Sequence, residues 1–239
     1  MNLLTLLEPL REHAAAAAPR ECCGLAVVTK GKLRYWPCRN ISISDTQFEI
    51  DPLDYAAAEE AGEIVGICHS HVFLSPEPSE ADRVMCERTG LPWLIVNHPV
   101  GTHTLTEPSG YVAPLVGRSY SHGVLDCYQI VVDHYKQVLG IELPQFRRED
   151  GWWERGENLY IENFEKAGFV NMGDGSLTDI RPHDGLLMQV ASDVPNHAAV
   201  YLGDNFILQH VYGRLSSRDV YGGYWRKHTT HVVRHRSFL

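Results

Sequence analysis

Residues 63–71 read EIVGICHSH, and residues 79–88 read SEADRVMCER. The first run is apolar and β-branched until it ends on His69-Ser70-His71, the pattern of a buried strand with a polar end. The second opens with a serine followed by acidic residues, the composition of a capped helix start. Working outward, GLAVVT (24–29) and KLRYWP (32–37) are strand-like runs joined by a tight turn around Gly31. Helices are expected over 3–18 and 51–62, and PWLIVN (92–97) is another buried strand. Strands alternating with helices make the first half an α/β or α+β layer.

The chain has 239 residues, enough for two compact units. Its 21 Lys+Arg against 30 Asp+Glu give a net charge of −9, with no basic run able to neutralise phosphates, so nucleic acid is not expected as a partner. No window reaches the ~18–20 uninterrupted apolar residues of a membrane span. The opening MNLLTLLEPLREHAAAAAP lacks a basic start and is interrupted by Glu8, Arg11 and Glu12, so an amphipathic helix is expected there rather than a signal peptide. Six cysteines, two of them adjacent at Cys22 and Cys23, suit reduced thiols better than a framework of bridges.

Between Glu107 and Gly123 the sequence EPSGYVAPLVGRSYSHG, rich in Pro, Gly and Ser, marks the domain boundary. After it DCYQIVVDHYKQVLG (126–140) reads as a helix with Asp126 as N-cap, and 158–166 as a second helix. Short strands follow in GLLMQV, HAAVYLGD and NFILQHV. No internal repeat is visible, so the two halves are different folds.

The first half carries a candidate metal site. Two histidines at i and i+2 on a strand share a face, and Asp82 in the first turn of the next helix adds an oxygen ligand. His69, His71 and Asp82 would leave a fourth position of a tetrahedral zinc open, and Glu21 is the candidate to take a proton from water there. A His-x-His on a strand is by itself an ordinary polar face; its joint occurrence with Glu21 upstream and Ser79 and Asp82 downstream is what points to a site. These residues resemble the JAMM (MPN+) metallopeptidase motif, in which Glu is followed by His-x-His, seven residues and Ser-x-x-Asp, and PRECCGL around Glu21 is similar to the bacterial and phage members. The resemblance implies zinc held by His69, His71 and Asp82, Glu21 as general acid/base, and Ser79 stabilising the developing oxyanion. Val72 stands where the family usually has proline.

The second half carries a candidate thiol site. Cys127 sits in the first turn of its helix, where free N–H groups and the dipole favour a thiolate. His197 opens a strand and is a candidate base, with Gln209 or His210 on the next strand to orient it. Adjacent strand residues face opposite ways, so only one of the two can do so. Cys, His and a polar orienter in this order resemble the NlpC/P60 peptidoglycan endopeptidases, with DCYQIV for the catalytic helix start, HAAVYLGD for the base strand and His183-Asp184-Gly185-Leu186 for a preceding turn. In that family the residue twelve after the base is the orienter, which lands on Gln209, whereas the commoner chemical choice is a histidine, His210. Tyr128 and Gln129 replace the usual small residue and glycine after the cysteine, and no tyrosine upstream of Cys127 is assigned as a counterpart of the one many members carry.

The pairing of the two domains resembles the tail assembly (tail tip) proteins of lambda-type tailed bacteriophages, and GRLSSRDVYGGYWRKH near the end is similar to them too. It implies an α+β, two-domain chain: a JAMM-like mixed sheet with flanking helices over 1–107, a linker over 108–121 and a papain-like NlpC/P60 fold over 122–239. The implied activities are a zinc-dependent (iso)peptidase and a Cys/His hydrolase of the D-γ-glutamyl-diaminopimelate bond in peptidoglycan stem peptides. Other tail tip proteins are the implied partners, and the host cytoplasm during assembly and the virion tail tip the implied locations. The alternative is a structural tail-tip assembly protein with degenerate sites, to which Val72, Tyr128 and Gln129 point. The aromatic residues Tyr221, Tyr224 and Trp225 either pack over the second site or form a contact surface.

Overall fold

The structure, a computed structural model, describes residues 1–173 and 179–239 and divides into two compact units, Met1–Val112 and Ala113–Leu239. The division falls inside the Pro/Gly/Ser-rich stretch.

In the first unit a 3-10 turn (Leu3–Leu6) leads into α1 (Leu7–Ala17), followed by β1 (Cys23–Thr29), β2 (Lys32–Cys38), α2 (Pro52–Ala61), β3 (Glu63–Val72), α3 (Glu80–Thr89), β4 (Trp93–His98) and β5 (His103–Thr106). The sheet order is β2-β1-β3-β4-β5, with β3 and β4 parallel and the other pairs antiparallel. The short edge strand β5 was not expected from the sequence.

Strand periodicity sorts side chains onto two faces. Cys22, Ala26, Cys68, Leu94 and Val96 pack under Leu3, Leu6, Leu10 and Ala14 of the N-terminal helical segment. Cys23, Leu25, Val27, Ile67 and Trp93 pack on the other side, with Ala58 of α2 and Cys86 of α3. A Cβ on Gly66 would meet Leu3 Cδ2 at 2.6 Å, so glycine is what lets the N-terminal segment sit this close to β3. From Ile67 onward, past the register shift opposite Ala26 and Val27, the odd-numbered β3 residues face α2 and α3, which sends His69 and His71 toward the start of α3.

The second unit contains α4 (Cys127–His134), continued by a π turn (Tyr135–Leu139), then α5 (Leu159–Asn163), β6 (Phe169–Asn171), β7 (Gly185–Met188), β8 (His197–Gly203), β9 (Phe206–Gln209), β10 (Ser217–Val220), α6 (Gly223–His228) and β11 (Thr229–His235). α5 is shorter than the expected 158–166, with residue 158 at its N-cap and 164–166 in turns. All pairs in the sheet β10-β9-β8-β7-β11-β6 are antiparallel. Ile130, Val131 and Tyr135 pack on one sheet face with Leu187, Ala198, Val200, Leu208 and Val233. Leu186, Met188, Ala199, Ile207, Tyr221 and Val232 form the opposite layer. The chain is thus mixed α+β with two separate sheets. Among the described residues no helix is long and apolar enough to cross a membrane, and all six cysteines are free thiols.

Candidate functional site

In the first unit His69 and His71 are buried on β3, and Asp82 is buried in the first turn of α3. Ser79 caps α3 reciprocally: its Oγ accepts from Asp82 N at 3.1 Å, and its own N–H donates to Asp82 Oδ2 at 2.7 Å. This capping box turns the Asp82 carboxylate toward β3. His69 Nε2 lies 3.4 Å from Asp82 Oδ1, His71 Nε2 lies 3.3 Å from Asp82 Oδ2, and the two Nε2 atoms are 3.2 Å apart.

A tetrahedral zinc with bonds of ~2.0–2.1 Å spaces its ligand atoms about 3.3 Å from one another, so these three donors already have the spacing such an ion needs. His71 Nδ1 donates to the Ser75 carbonyl at 2.6 Å, which fixes the hydrogen there and leaves Nε2 as the donor nitrogen. His69 is held by the Phe48 ring at 4.6 Å and by Trp93 edge-on at 5.5 Å. Its Nδ1 finds no hydrogen-bond partner among the described residues.

Burial works to raise the Asp82 pKa, but the charge of His69 and hydrogen bonds from His69, His71 and Ser79 outweigh it and hold the carboxyl well below its usual range. Burial opposes charge on His71 as well, yet Asp82, the Ser75 carbonyl and Glu21 raise its pKa. Glu21, 5% exposed, is raised by burial, with His69 and His71 pulling it down and Asp82 pushing it up. Its electrostatic partners are therefore the three putting their donors together. Ser79 Oγ is engaged in the helix cap. Val72 ends β3 beside His98 of β4, and the following Phe73 N–H donates to His98 O at 2.8 Å, so the chain leaves the strand without a proline at position 72.

In the second unit Cys127 is half-buried at the first turn of α4. Asp126 caps that helix, accepting from Tyr128 N at 3.1 Å and Gln129 N at 2.8 Å. Arg148 holds the same carboxylate bidentately, Nε to Oδ2 at 2.7 Å and Nη2 to Oδ1 at 3.0 Å. Cys127 Sγ lies 3.2 Å from Tyr160 Oη and 4.0 Å from the carbonyl of Asn196, the residue before His197. Cys127 and His197 line one cavity of about 190 Å³, walled by Tyr120, Trp152, Trp153, Phe164 and Trp225.

Gln209, not His210, meets the base: His197 Nε2 and Gln209 Oε1 are 2.9 Å apart. His210 lies just beyond β9, buried against the Tyr120 ring at 5.1 Å. Trp225 packs its indole over His197 at 5.7 Å with a 33° tilt, so of the C-terminal aromatics it is the one against the site. Tyr221 is buried in the sheet layer and Tyr224 is largely exposed.

Burial works against the thiolate preference expected from the helix start. Burial pushes the Cys127 thiol up to about 11, the Asp126 carboxylate adds to the rise, and Tyr160, the Ala198 backbone and Arg148 only partly offset it. Burial also lowers the His197 pKa, against the Gln209 hydrogen bond. Both shifts favour the neutral forms, thiol and imidazole, over a thiolate–imidazolium pair. The two departures after the cysteine are absorbed by packing: Tyr128 Oη donates to Pro144 O at 2.7 Å, and Gln129 Nε2 donates to Asp133 Oδ1 at 2.7 Å.

Sequence reasoning missed Tyr160 and Arg148, which come from a short helix and an irregular loop and carry no periodic signal. Tyr120, seven positions before the cysteine in a Pro/Gly/Ser-rich run, went unassigned although it walls the cavity.

The family model for prokaryotic homologs of the JAB domain matches residues 4–107, and the NlpC/P60 family model matches residues 117–234. A JAB1/MPN domain protein of solved structure from Archaeoglobus fulgidus is 22% identical over 46% of this chain and 90% of that one, with a TM-score of 0.32. The tail tip assembly protein K of Escherichia phage N15 is 40% identical over 96% of this chain and 94% of that protein. Its namesake from Escherichia phage lambda is 41% identical over 79% of this chain and 90% of that protein. Similarity of this extent, carried through both units and in the same domain order, shows that the chain belongs to the tail tip assembly protein K family, with a JAB domain followed by an NlpC/P60 domain.

Proposed function

We propose that this chain acts in phage tail tip assembly and carries two hydrolytic sites, a zinc (iso)peptidase in the JAB domain and a thiol peptidase in the NlpC/P60 domain that cuts peptidoglycan stem peptides. The observation that carries the reading is the wall of the second cavity, where Cys127 and His197 face one space and Gln209 holds the far side of the imidazole. His197 takes the Cys127 proton as Sγ attacks the scissile carbonyl. The C–N bond then breaks, the imidazolium protonates the leaving amine, and water, deprotonated by His197, hydrolyses the thioester. Tyr160 Oη, 3.2 Å from Sγ, is placed to steady the sulfur or the developing oxyanion.

In the first domain His69, His71 and Asp82 would hold the zinc, and Glu21 would accept and return the proton of the attacking water. A bound zinc supplies Lewis-acid polarisation and a lowered water pKa there. The tail tip role follows the names of the N15 and lambda relatives. Other tail tip proteins are its partners on this reading, in the host during assembly and at the virion tail.

The reading is tested on purified muropeptides containing the D-γ-glutamyl-diaminopimelate bond. Cleavage lost in Cys127→Ala and retained in chelator supports a thiol site on this substrate; turnover unchanged in Cys127→Ala overturns it. Loss of cleavage with infectivity retained in that variant would favour an assembly role independent of hydrolysis.

A further inference from the structure

β8, β9 and β10 are neighbours in the second sheet, and their registers pair Ala199 with Gln209, Gln209 with Ser217 and Ile207 with Asp219. Paired residues, and residues two positions along a strand, share a face. His197, Gln209 and Asp219 therefore step diagonally across three strands on one side of the sheet. Their side chains connect. Gln209 Oε1 is 2.9 Å from His197 Nε2, Gln209 Nε2 donates to Asp219 Oδ2 at 2.6 Å, and Ser217 Oγ donates to the same oxygen at 3.0 Å. Gln209 is fully buried, so its amide has no solvent alternative to these two partners.

The chemistry of the three groups fixes where the hydrogens lie. An ionised carboxylate only accepts, so the end of the Gln209 amide that faces Asp219 is the NH2. The other end, the amide oxygen, faces His197 and also only accepts, so His197 Nε2 carries a hydrogen. A neutral imidazole has one N–H, which leaves the lone pair on Nδ1.

We propose that Asp219 is a positioning residue for the second site: by locking the Gln209 amide it holds His197 in the tautomer whose Nδ1 is free to take the Cys127 proton. The proposal rests on the reading of this domain as a thiol hydrolase. In that step the S–H bond breaks and an Nδ1–H bond forms, while Nε2–H stays donated to Gln209 and no proton moves to Gln209 or Asp219. Without Asp219 the Gln209 amide can turn over and present its NH2 to His197. That arrangement demands Nε2 as acceptor and puts the hydrogen on Nδ1, where it blocks the base.

The test uses the full chain and long-range proton–nitrogen NMR of the histidine rings, with the His197 signals assigned by their loss in His197→Gln. The wild type is expected to show the Nε2–H tautomer. Asp219→Ala is expected to convert His197 partly or wholly to Nδ1–H and to lower kcat on muropeptides at least tenfold with KM little changed. Asp219→Asn, whose side-chain oxygen can still accept from Gln209, is expected to restore the tautomer that Asp219→Ala loses. A wild-type His197 found as Nδ1–H, or an Asp219→Ala protein that keeps both the Nε2–H tautomer and wild-type kcat, overturns the proposal. Should Asp219→Ala fail to fold, the wild-type spectrum and Asp219→Asn still decide. Because the tautomer is read without turnover, a Cys127→Ala protein as active as wild type would refute the hydrolase reading separately from this one.

Discussion

His69 Nε2 and His71 Nε2 face each other at 3.2 Å on adjacent odd positions of β3. With His71 Nδ1 hydrogen-bonded to the Ser75 carbonyl, a neutral His71 turns a lone pair toward its neighbour and toward the Asp82 carboxylate. Electron-rich donors gathered this closely in a buried place are stabilised by a cation between them. Purified protein is therefore expected to contain about one zinc per chain, and Asp82→Ala to contain little. At 100 times its Kd a ligand specific to the folded state stabilises by about 2.7 kcal/mol, so chelation should lower the Tm of the first domain by several degrees, as calorimetry would record. Metal analysis finding no zinc after loading would remove the site.

Glu21 has no place among the three ligand atoms, which are grouped without it. Glu21→Gln should therefore keep its zinc and its chelation-sensitive Tm while metal-dependent cleavage of an isopeptide probe falls by about 10²–10⁴-fold, the usual worth of a general base. Loss of the metal in this variant would instead make Glu21 a ligand.

Much of this arrangement was legible because it is governed by local rules. The period of two puts His69 and His71 on one face, and a Ser-capped helix start brings Asp82 back over it. Asp126 was readable as an N-cap for the same reason. The choice between Gln209 and His210 was not local: it depends on where β9 ends and on the register that places Gln209 beside Ala199 and diagonal to His197. β5 was missed because four residues with half-exposed alternation carry little apolar signal. The behaviour of Cys127 shows the limit most clearly. The helix start is visible in the sequence, but the burial that raises the thiol and the Tyr160 hydroxyl beside it come from segments with no spacing relation to it.

Asp126 and Arg148 form a buried pair whose carboxylate also takes backbone N–H groups of Gly123, Tyr128 and Gln129. Burial would raise the Asp126 pKa, but Arg148 and the Gln129 N–H overcome it and lower the value. A depressed folded-state pKa contributes stability that is present above the unfolded value of about 4 and is lost as pH falls through the folded one. Arg148→Leu leaves the buried carboxylate without its counter-ion and should destabilise the second domain by about 3–5 kcal/mol in denaturant titration at pH 7. The difference from wild type should shrink below pH 4. Equal stability of the two proteins at pH 7 would show that the backbone donors suffice.

The raised Cys127 thiol has a direct consequence for reactivity. Only the thiolate is alkylated, and burial with the Asp126 carboxylate has pushed the thiol up to about 11. The rate of Cys127 alkylation by iodoacetamide should then rise about tenfold per pH unit from pH 7 to 10, with no plateau, because each unit multiplies the thiolate fraction by ten. A preformed thiolate–imidazolium pair would behave oppositely, giving a fast rate already constant near pH 7. Cys127→Ala supplies the background from the five other cysteines, all of which are buried. If the corrected profile is flat across neutrality, the helix N-terminus and His197 outweigh burial and the nucleophile is primed before substrate arrives. If it climbs as expected, His197 must remove the proton during attack, which makes the orientation of its ring by Gln209 a requirement of the rate-determining chemistry.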